Sequence, residues 1–116
     1  MEPRSTVADV IRKYFSDFVS RNREAVEEVL ADDFVFHSPH DPHIGKKIYF
    51  EKCWPNGENY RAIRIEKLFC EGDEAFVRYE CENKSGLKFR TTEFLRVEGD
   101  KIKEVEVYYG SLPKNV

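Results

Sequence analysis

The sequence predicts an α+β fold: a cone-shaped half-barrel in which three N-terminal helices pack on a curved, mostly antiparallel sheet. Three observations carry this. Helical spacing of apolar residues is confined to the first half, and two-residue alternation fills the stretch from Tyr60 to Tyr109. Glycine-containing turns divide that stretch into four strands at hairpin spacing. The apolar pattern also slips parity twice, which calls for bulges, and bulges curve a sheet.

Each element has its own signal. Thr6 can cap a first helix, because Val7, Val10, Ile11, Tyr14, Phe15 and Phe18 follow at helical spacing. Asn22 can cap a second, with Val26, Val29 and Leu30 on its apolar side. A short strand over Asp33–Ser38 is stopped by Pro39. A third helix is expected from about Gly45 to Trp54, ending at Pro55-Asn56-Gly57.

The rest predicts a meander of four strands: Tyr60–Glu71, Glu74–Asn83, Leu87–Glu98 and Lys101–Tyr109. Gly72-Asp73 and Gly99-Asp100 suit tight hairpins, and Lys84-Ser85-Gly86 a longer one. Charge sets the register. With Cys81 opposite Phe89, Glu80 faces Arg90 and Glu82 faces Lys88; with Leu95 opposite Val105, Arg96 faces Glu104. Ile102 and Val105 then differ in parity, so a bulge is expected near Lys103-Glu104. Another near Glu66-Lys67 reconciles Ile63 and Ile65 with Leu68 and Cys70.

The chain has 116 residues, which suits a single domain spanning 1–116 with one core. Hydrophobic residues make up 41% and charged residues 35%, the balance of a globular protein with a charged surface. A net charge of −3 and a pI near 5.7 offer no electrostatic reason to bind nucleic acid or an anionic membrane. Without a long apolar run or a secretory h-region, a cytoplasmic location is expected. Cys53, Cys70 and Cys81 are odd in number and lack CxxC spacing, which fits reduced thiols.

Candidate chemistry centres on Glu93. From Leu87 to Val97 the odd positions are Leu87, Phe89, Thr91, Glu93, Leu95 and Val97, so a carboxylate sits on the dry face of a strand. A buried carboxylate must be paired or hold its proton unusually tightly, and a site is one place where that cost is tolerated. The plainer readings are a salt bridge inside the core or a slipped register that points Glu93 at water. Tyr14, on the apolar stripe of the first helix, needs a partner for its hydroxyl. It can share an oxyanion-binding point with Glu93, or the two can simply satisfy each other.

All three histidines fall within His37-Ser38-Pro39-His40-Asp41-Pro42-His43. Histidine can serve as a base or a metal ligand, but two prolines hold this segment extended, which works against three imidazoles meeting on one ion. No metal and no cofactor is expected, His40 and His43 read as a solvated loop, and His37 can face either way. Outward-facing Phe76, Phe94 and Tyr108 suggest a homodimer contact on the outer sheet face, or a cross-strand cluster covered by charged side chains.

In element order and motifs the chain resembles the SnoaL-like, ketosteroid-isomerase-like branch of the nuclear transport factor 2-like superfamily. The resemblance rests on Ile11-Arg12-Lys13-Tyr14-Phe15, on Val29-Leu30-Ala31-Asp32-Asp33-Phe34-Val35-Phe36-His37-Ser38-Pro39, and on Gly45 opening the third helix. Phe94 through Ile102, Glu104-Val105 and Tyr108-Tyr109-Gly110 extend it almost to the end. It implies a cystatin-like α+β roll enclosing a pocket for a small apolar molecule.

The resemblance also implies cofactor-free proton transfer on a carbonyl compound, as in isomerisation, cyclisation or dehydration. Tyr14 matches the isomerase's oxyanion tyrosine, and Glu93, three residues before Arg96, matches its carboxylic-acid donor with Glu in place of Asp. The proton-shuttling Asp of that pattern falls on Ser38, which cannot act as a base unaided. Glu93 is then acid or base, with His37 or Asp41 in reserve as a second base. The expected pocket lining is Phe18, Ser38, Trp54, Tyr79, Phe89, Thr91, Val107 and Tyr109. A non-catalytic ligand-binding or dimerisation domain of the same fold is the alternative.

Overall fold

The computed structural model describes residues 6–110. Helix α1 (Val7–Val19) starts at a capping box: the Thr6 hydroxyl accepts from Asp9 N–H and the Asp9 carboxylate accepts from Thr6 N–H. It buries Val10, Ile11, Tyr14 and Phe15, the predicted stripe. Helix α2 (Arg23–Val29) is capped by the Asn22 side chain, which accepts from Ala25 N–H. The chain turns directly from α2 into strand β1 (Leu30–His37), three residues earlier than expected, because Leu30 is extended and pairs with Ile102.

Strand β2 (Ile44–Gly45) is a two-residue pairing with β1, and helix α3 (Lys46–Lys52) follows at once. A 3-10 helix over Trp54–Asn59 takes up the region expected to end the third helix. Strands β3 (Tyr60–Glu71), β4 (Glu74–Asn83), β5 (Lys88–Glu98) and β6 (Lys101–Tyr109) form the meander. Leu87 lies outside β5 and is exposed, so the strand is one residue shorter than its pattern suggested.

Among the described residues the strands form one sheet in the order β2-β1-β6-β5-β4-β3. It is antiparallel except where β1 runs parallel to β6. Cys81 lies opposite Phe89, Leu95 opposite Val105 and Phe76 opposite Phe94, the registers read from charge alternation. Lys103 is the extra residue between the Arg96–Glu104 and Val97–Ile102 pairs, and Glu66 the extra residue between Ile65–Tyr79 and Lys67–Arg78. Both bulges fall where the parity breaks placed them. Gly72 and Gly99 take positive φ in the hairpins, a conformation that L side chains strain to adopt.

The three helices cover one face of the sheet. Ile11, Val26, Leu30, Phe34, Tyr49, Val77, Leu95, Val97, Ile102 and Val105 form the driest part of the core. The opposite face is an ionic lattice. The Arg90 guanidinium grips Glu66 with two nitrogens at 2.9 and 3.2 Å, and Arg64 reaches Glu80 at 3.4 Å and Glu82 at 2.9 Å. Arg96 approaches Glu104 at 3.6 Å. Arg90 thus pairs across two strands instead of with the Glu80 directly opposite, since an Arg side chain spans further than one strand spacing. In this lattice Phe69, Phe76 and Phe94 stand in a row across β3, β4 and β5, with Phe69 69% and Phe76 50% exposed.

Candidate functional site

Between the helices and the concave sheet face lies a cavity of about 260 Å³. Its floor is β5. Thr91 and Glu93 point the same way because they are two residues apart, and Glu93 has Val77 of β4 and Val107 of β6 directly opposite. Glu93 is 6% exposed and hydrogen-bonded at Oε2 by the Tyr79 hydroxyl. Burial pushes its carboxyl up to about 7, and the Tyr79 hydrogen bond pulls in the opposite sense without cancelling it. Glu93 therefore changes charge near neutrality.

Tyr14 does not bond Glu93. Its hydroxyl lies 2.8 Å from that of Tyr49 on α3, buried with it inside the cavity wall. Burial, together with the field of Glu93, drives both phenols far above their ordinary range, so both keep their protons. Two hydroxyls in one hydrogen bond use one proton between them. The second remains free to donate to whatever enters. Thr91 Oγ1, on a residue 2% exposed, is a further polar atom with no partner among the described residues.

The remaining walls are largely aromatic. Phe15 packs on Tyr14 and Tyr79 with centroids 5.1 and 5.0 Å apart, and Phe18, Tyr60 and Phe89 continue the line at 6.0 and 6.3 Å. The mouth is formed by the loop after β1 and by Cys53, Asn56 and Tyr109. In that loop Ser38 Oγ accepts from Asp41 N–H at 3.0 Å and Ser38 N–H donates to the Asp41 carbonyl at 3.2 Å. This closed turn brings Asp41 and His40 to the cavity, with the His40 ring 5.8 Å from Tyr109.

Of the residues expected to act or bind, Glu93, Tyr14, Phe18, Ser38, Tyr79, Phe89, Thr91, Val107 and Tyr109 all line this cavity. His37 does not. Phe34 and Phe36 turn inward, so His37 turns out, where its Nε2 lies 3.3 Å from Glu104 Oε2. Trp54 is also outside the lining: it packs edge-on to Phe18 at 5.4 Å and lies under the Arg21 guanidinium, 4.0 Å from its ring. The histidines separate, His37 and His43 together and His40 at the mouth. Among the described residues no cluster of three His, Cys, Asp or Glu side chains could hold an ion.

Sequence reasoning missed Tyr60, Asn56 and Cys53, and it placed His40 in solvent. Tyr49 was also open to sequence reasoning, because what singles out Tyr14 applies equally to it: a phenol on a buried helical stripe needs a partner.

The curved sheet and its three covering helices enclose an aromatic cavity with one buried carboxyl, that of Glu93, in its lining. The sequence profile described as the SnoaL-like domain matches residues 11–105, and the chain belongs to that family. Solved structures agree on the fold. A candidate ketosteroid isomerase from Kribbella flavida is similar over 97% of this chain and 84% of its own, with a TM-score of 0.77 and 17% identity. A candidate polyketide cyclase from Sinorhizobium meliloti is similar over 86% and 94%, with a TM-score of 0.74 and 17% identity. A nuclear transport factor 2-like protein of unknown function from Cytophaga hutchinsonii is similar over 94% of both chains, with a TM-score of 0.75 and 20% identity. At such identities the likeness fixes the fold and leaves activity to the site itself. A search of curated protein sequences finds no match. No helix among the described residues is long and apolar enough to cross a membrane.

Proposed function

We propose that this SnoaL-like chain binds a small, largely apolar molecule in its cavity and moves a proton on it without a cofactor. The observation that carries the proposal is Glu93: a buried carboxyl that titrates near 7, in a cavity of ligand size, on the same strand face as the unsatisfied Thr91 hydroxyl. As a carboxylate it takes a proton from a carbon beside a carbonyl. The spare hydroxyl proton of the Tyr14–Tyr49 pair then donates to the developing enolate oxygen. Glu93 returns the proton at another carbon, which completes an isomerisation with no net change in the enzyme. Asp41, in place of the outward-facing His37, is the second carboxyl group in the cavity lining.

Ser38 favours the alternative of a non-catalytic binding domain. It occupies the position of the expected acid, and its Oγ is already engaged by Asp41 N–H. For assembly, the row of Phe69, Phe76 and Phe94, with Tyr108 beside it, supports a homodimer through the outer sheet face.

Deuterium exchange separates the two functional readings. The chain is incubated in heavy water with a panel of small cyclic enones and ketones, and label at the carbon beside the carbonyl is read by mass spectrometry. The proposal expects exchange above background that Glu93→Gln abolishes while binding persists. Ligand binding without exchange supports the binding domain. Exchange unchanged in Glu93→Gln removes Glu93 from the mechanism.

A further inference from the structure

The charge inventory of the cavity narrows what it accepts. Two carboxylates, Glu93 and Asp41, line it, and no Lys or Arg does. Arg21 stacks on Phe18 and Trp54 outside the lining, with Nη2 on the Trp54 carbonyl at 2.8 Å and Nε on Glu58 at 3.2 Å. The walls are rings in contact: Tyr14, Phe15, Phe18, Tyr60, Tyr79 and Phe89. Aromatic faces carry negative potential and attract alkylammonium groups, most strongly where water is excluded. An anionic ligand would meet two carboxyl groups with only the His40 imidazole at the mouth to offset them. A neutral ligand supplies no counter-charge and leaves Glu93 to hold its proton, whereas a cation pairs with its carboxylate.

We propose that the cavity is a site for a small organic cation, an alkylammonium compound whose charge lies toward Glu93 and whose alkyl groups rest on the aromatic wall. The inference rests on the cavity being a small-molecule pocket and specifies the class of occupant. It also assigns Glu93 a protonation state: a bound cation holds it as the carboxylate, which makes it the base in any proton transfer. A carbonyl compound that also bears an ammonium group meets both requirements.

Binding is then linked to pH. The ionisable groups around Glu93 are Tyr14 of α1, Tyr49 of α3, Tyr60 of β3, Tyr79 and Cys81 of β4 and Tyr109 of β6, with Cys53, Asp41 and His40 at the mouth; burial pushes both thiols up, so they too keep their protons at neutral pH. Each of the five phenols is pushed above its ordinary range and keeps its proton at neutral pH. Glu93 is the buried group among them whose charge changes near 7, so cation binding should release its proton at lower pH.

The test is calorimetric titration of the full chain with choline and with 3,3-dimethylbutan-1-ol, its uncharged isostere of nearly the same shape. Choline should bind at least tenfold tighter at pH 8, and about tenfold more weakly at pH 6 than at pH 8. Glu93→Gln should erase the preference for choline. Should that variant fail to fold, the pH dependence of the unmodified chain still decides. Equal or tighter binding of the neutral alcohol overturns the inference and leaves the pocket reading intact. Failure of both probes to bind, a choline preference that survives in Glu93→Gln, or pH-independent affinity each overturns it too. Deuterium exchange on neutral ketones tests the pocket reading separately.

Discussion

Replacing Glu93 with Gln keeps the shape of the side chain and an acceptor for the Tyr79 hydroxyl, but removes the charge. The carboxyl moves from an ordinary value of 4.5 to about 7 on burial. At about 1.4 kcal/mol per pH unit, ionising Glu93 costs the folded state about 3 kcal/mol relative to the unfolded chain. Between these two values the folded protein binds more protons than the unfolded one, so stability falls as pH rises. The contribution is fully present below pH 4.5 and lost by passage through 7. Gln has no such dependence.

Urea unfolding of both proteins from pH 4 to 9 isolates the effect, because every other titrating group is common to the two. The difference in unfolding free energy should move by about 3 kcal/mol in favour of Gln between pH 4.5 and 8. That amounts to a relative shift of about 1–3 M in the urea midpoint. Curves that stay parallel over this range would refute the argument that burial raises Glu93.

Four further outcomes follow from particular contacts. Tyr79→Phe removes the hydrogen bond that favours the Glu93 carboxylate, so the Glu93 midpoint should rise by about one pH unit, read by carbon-13 NMR. Gly57→Ala places a methyl 2.0 Å from Arg21 Nη1 and 2.9 Å from the Phe18 ring, where Arg21 is tied to Trp54 and Glu58. It should cost about 1–3 kcal/mol in urea unfolding. Phe76→Glu puts a charge in the exposed aromatic row and should convert a dimer to monomer by light scattering with an unchanged circular dichroism spectrum; a mass unaffected by the change would remove this face from the assembly. Thr6→Ala breaks the capping box and should lower stability by about 1 kcal/mol without altering ligand binding.

The meander was legible because each strand carries its own register information. Alternating charge aligned Glu80 with Arg90 and Arg96 with Glu104, and the broken parity between Ile102 and Val105 located the bulge at Lys103. Glu93 was legible for the same reason: a carboxylate in an apolar alternation has one interpretation when the register is fixed. Its hydrogen-bond partner was harder to find. Tyr79 is a diagonal neighbour on β4, whereas Tyr14 reaches Tyr49, a contact between helices far apart in the chain that no local pattern encodes.

The parallel pairing of β1 with β6 was hidden too, because no hairpin turn marks it, and the facing of His37 depends on that pairing. Asp41 reached the cavity through the closed Ser38–Asp41 turn, a feature of backbone hydrogen bonding that the spacing of His and Pro does not reveal. On the outer face the predicted opposite charges are present. Arg96 meets the opposite Glu104 as predicted, whereas Arg90 passes over the opposite Glu80 to make a two-point contact with Glu66 across β4.

Everything proposed for the cavity depends on the protonation of one carboxyl. A carbon-13 NMR titration of the Glu93 side chain in the ligand-free full chain reads it directly. The account predicts a midpoint near 7. A midpoint at or below 4.5 would mean that Glu93 is solvated or ion-paired, and would contradict the buried proton-exchanging site.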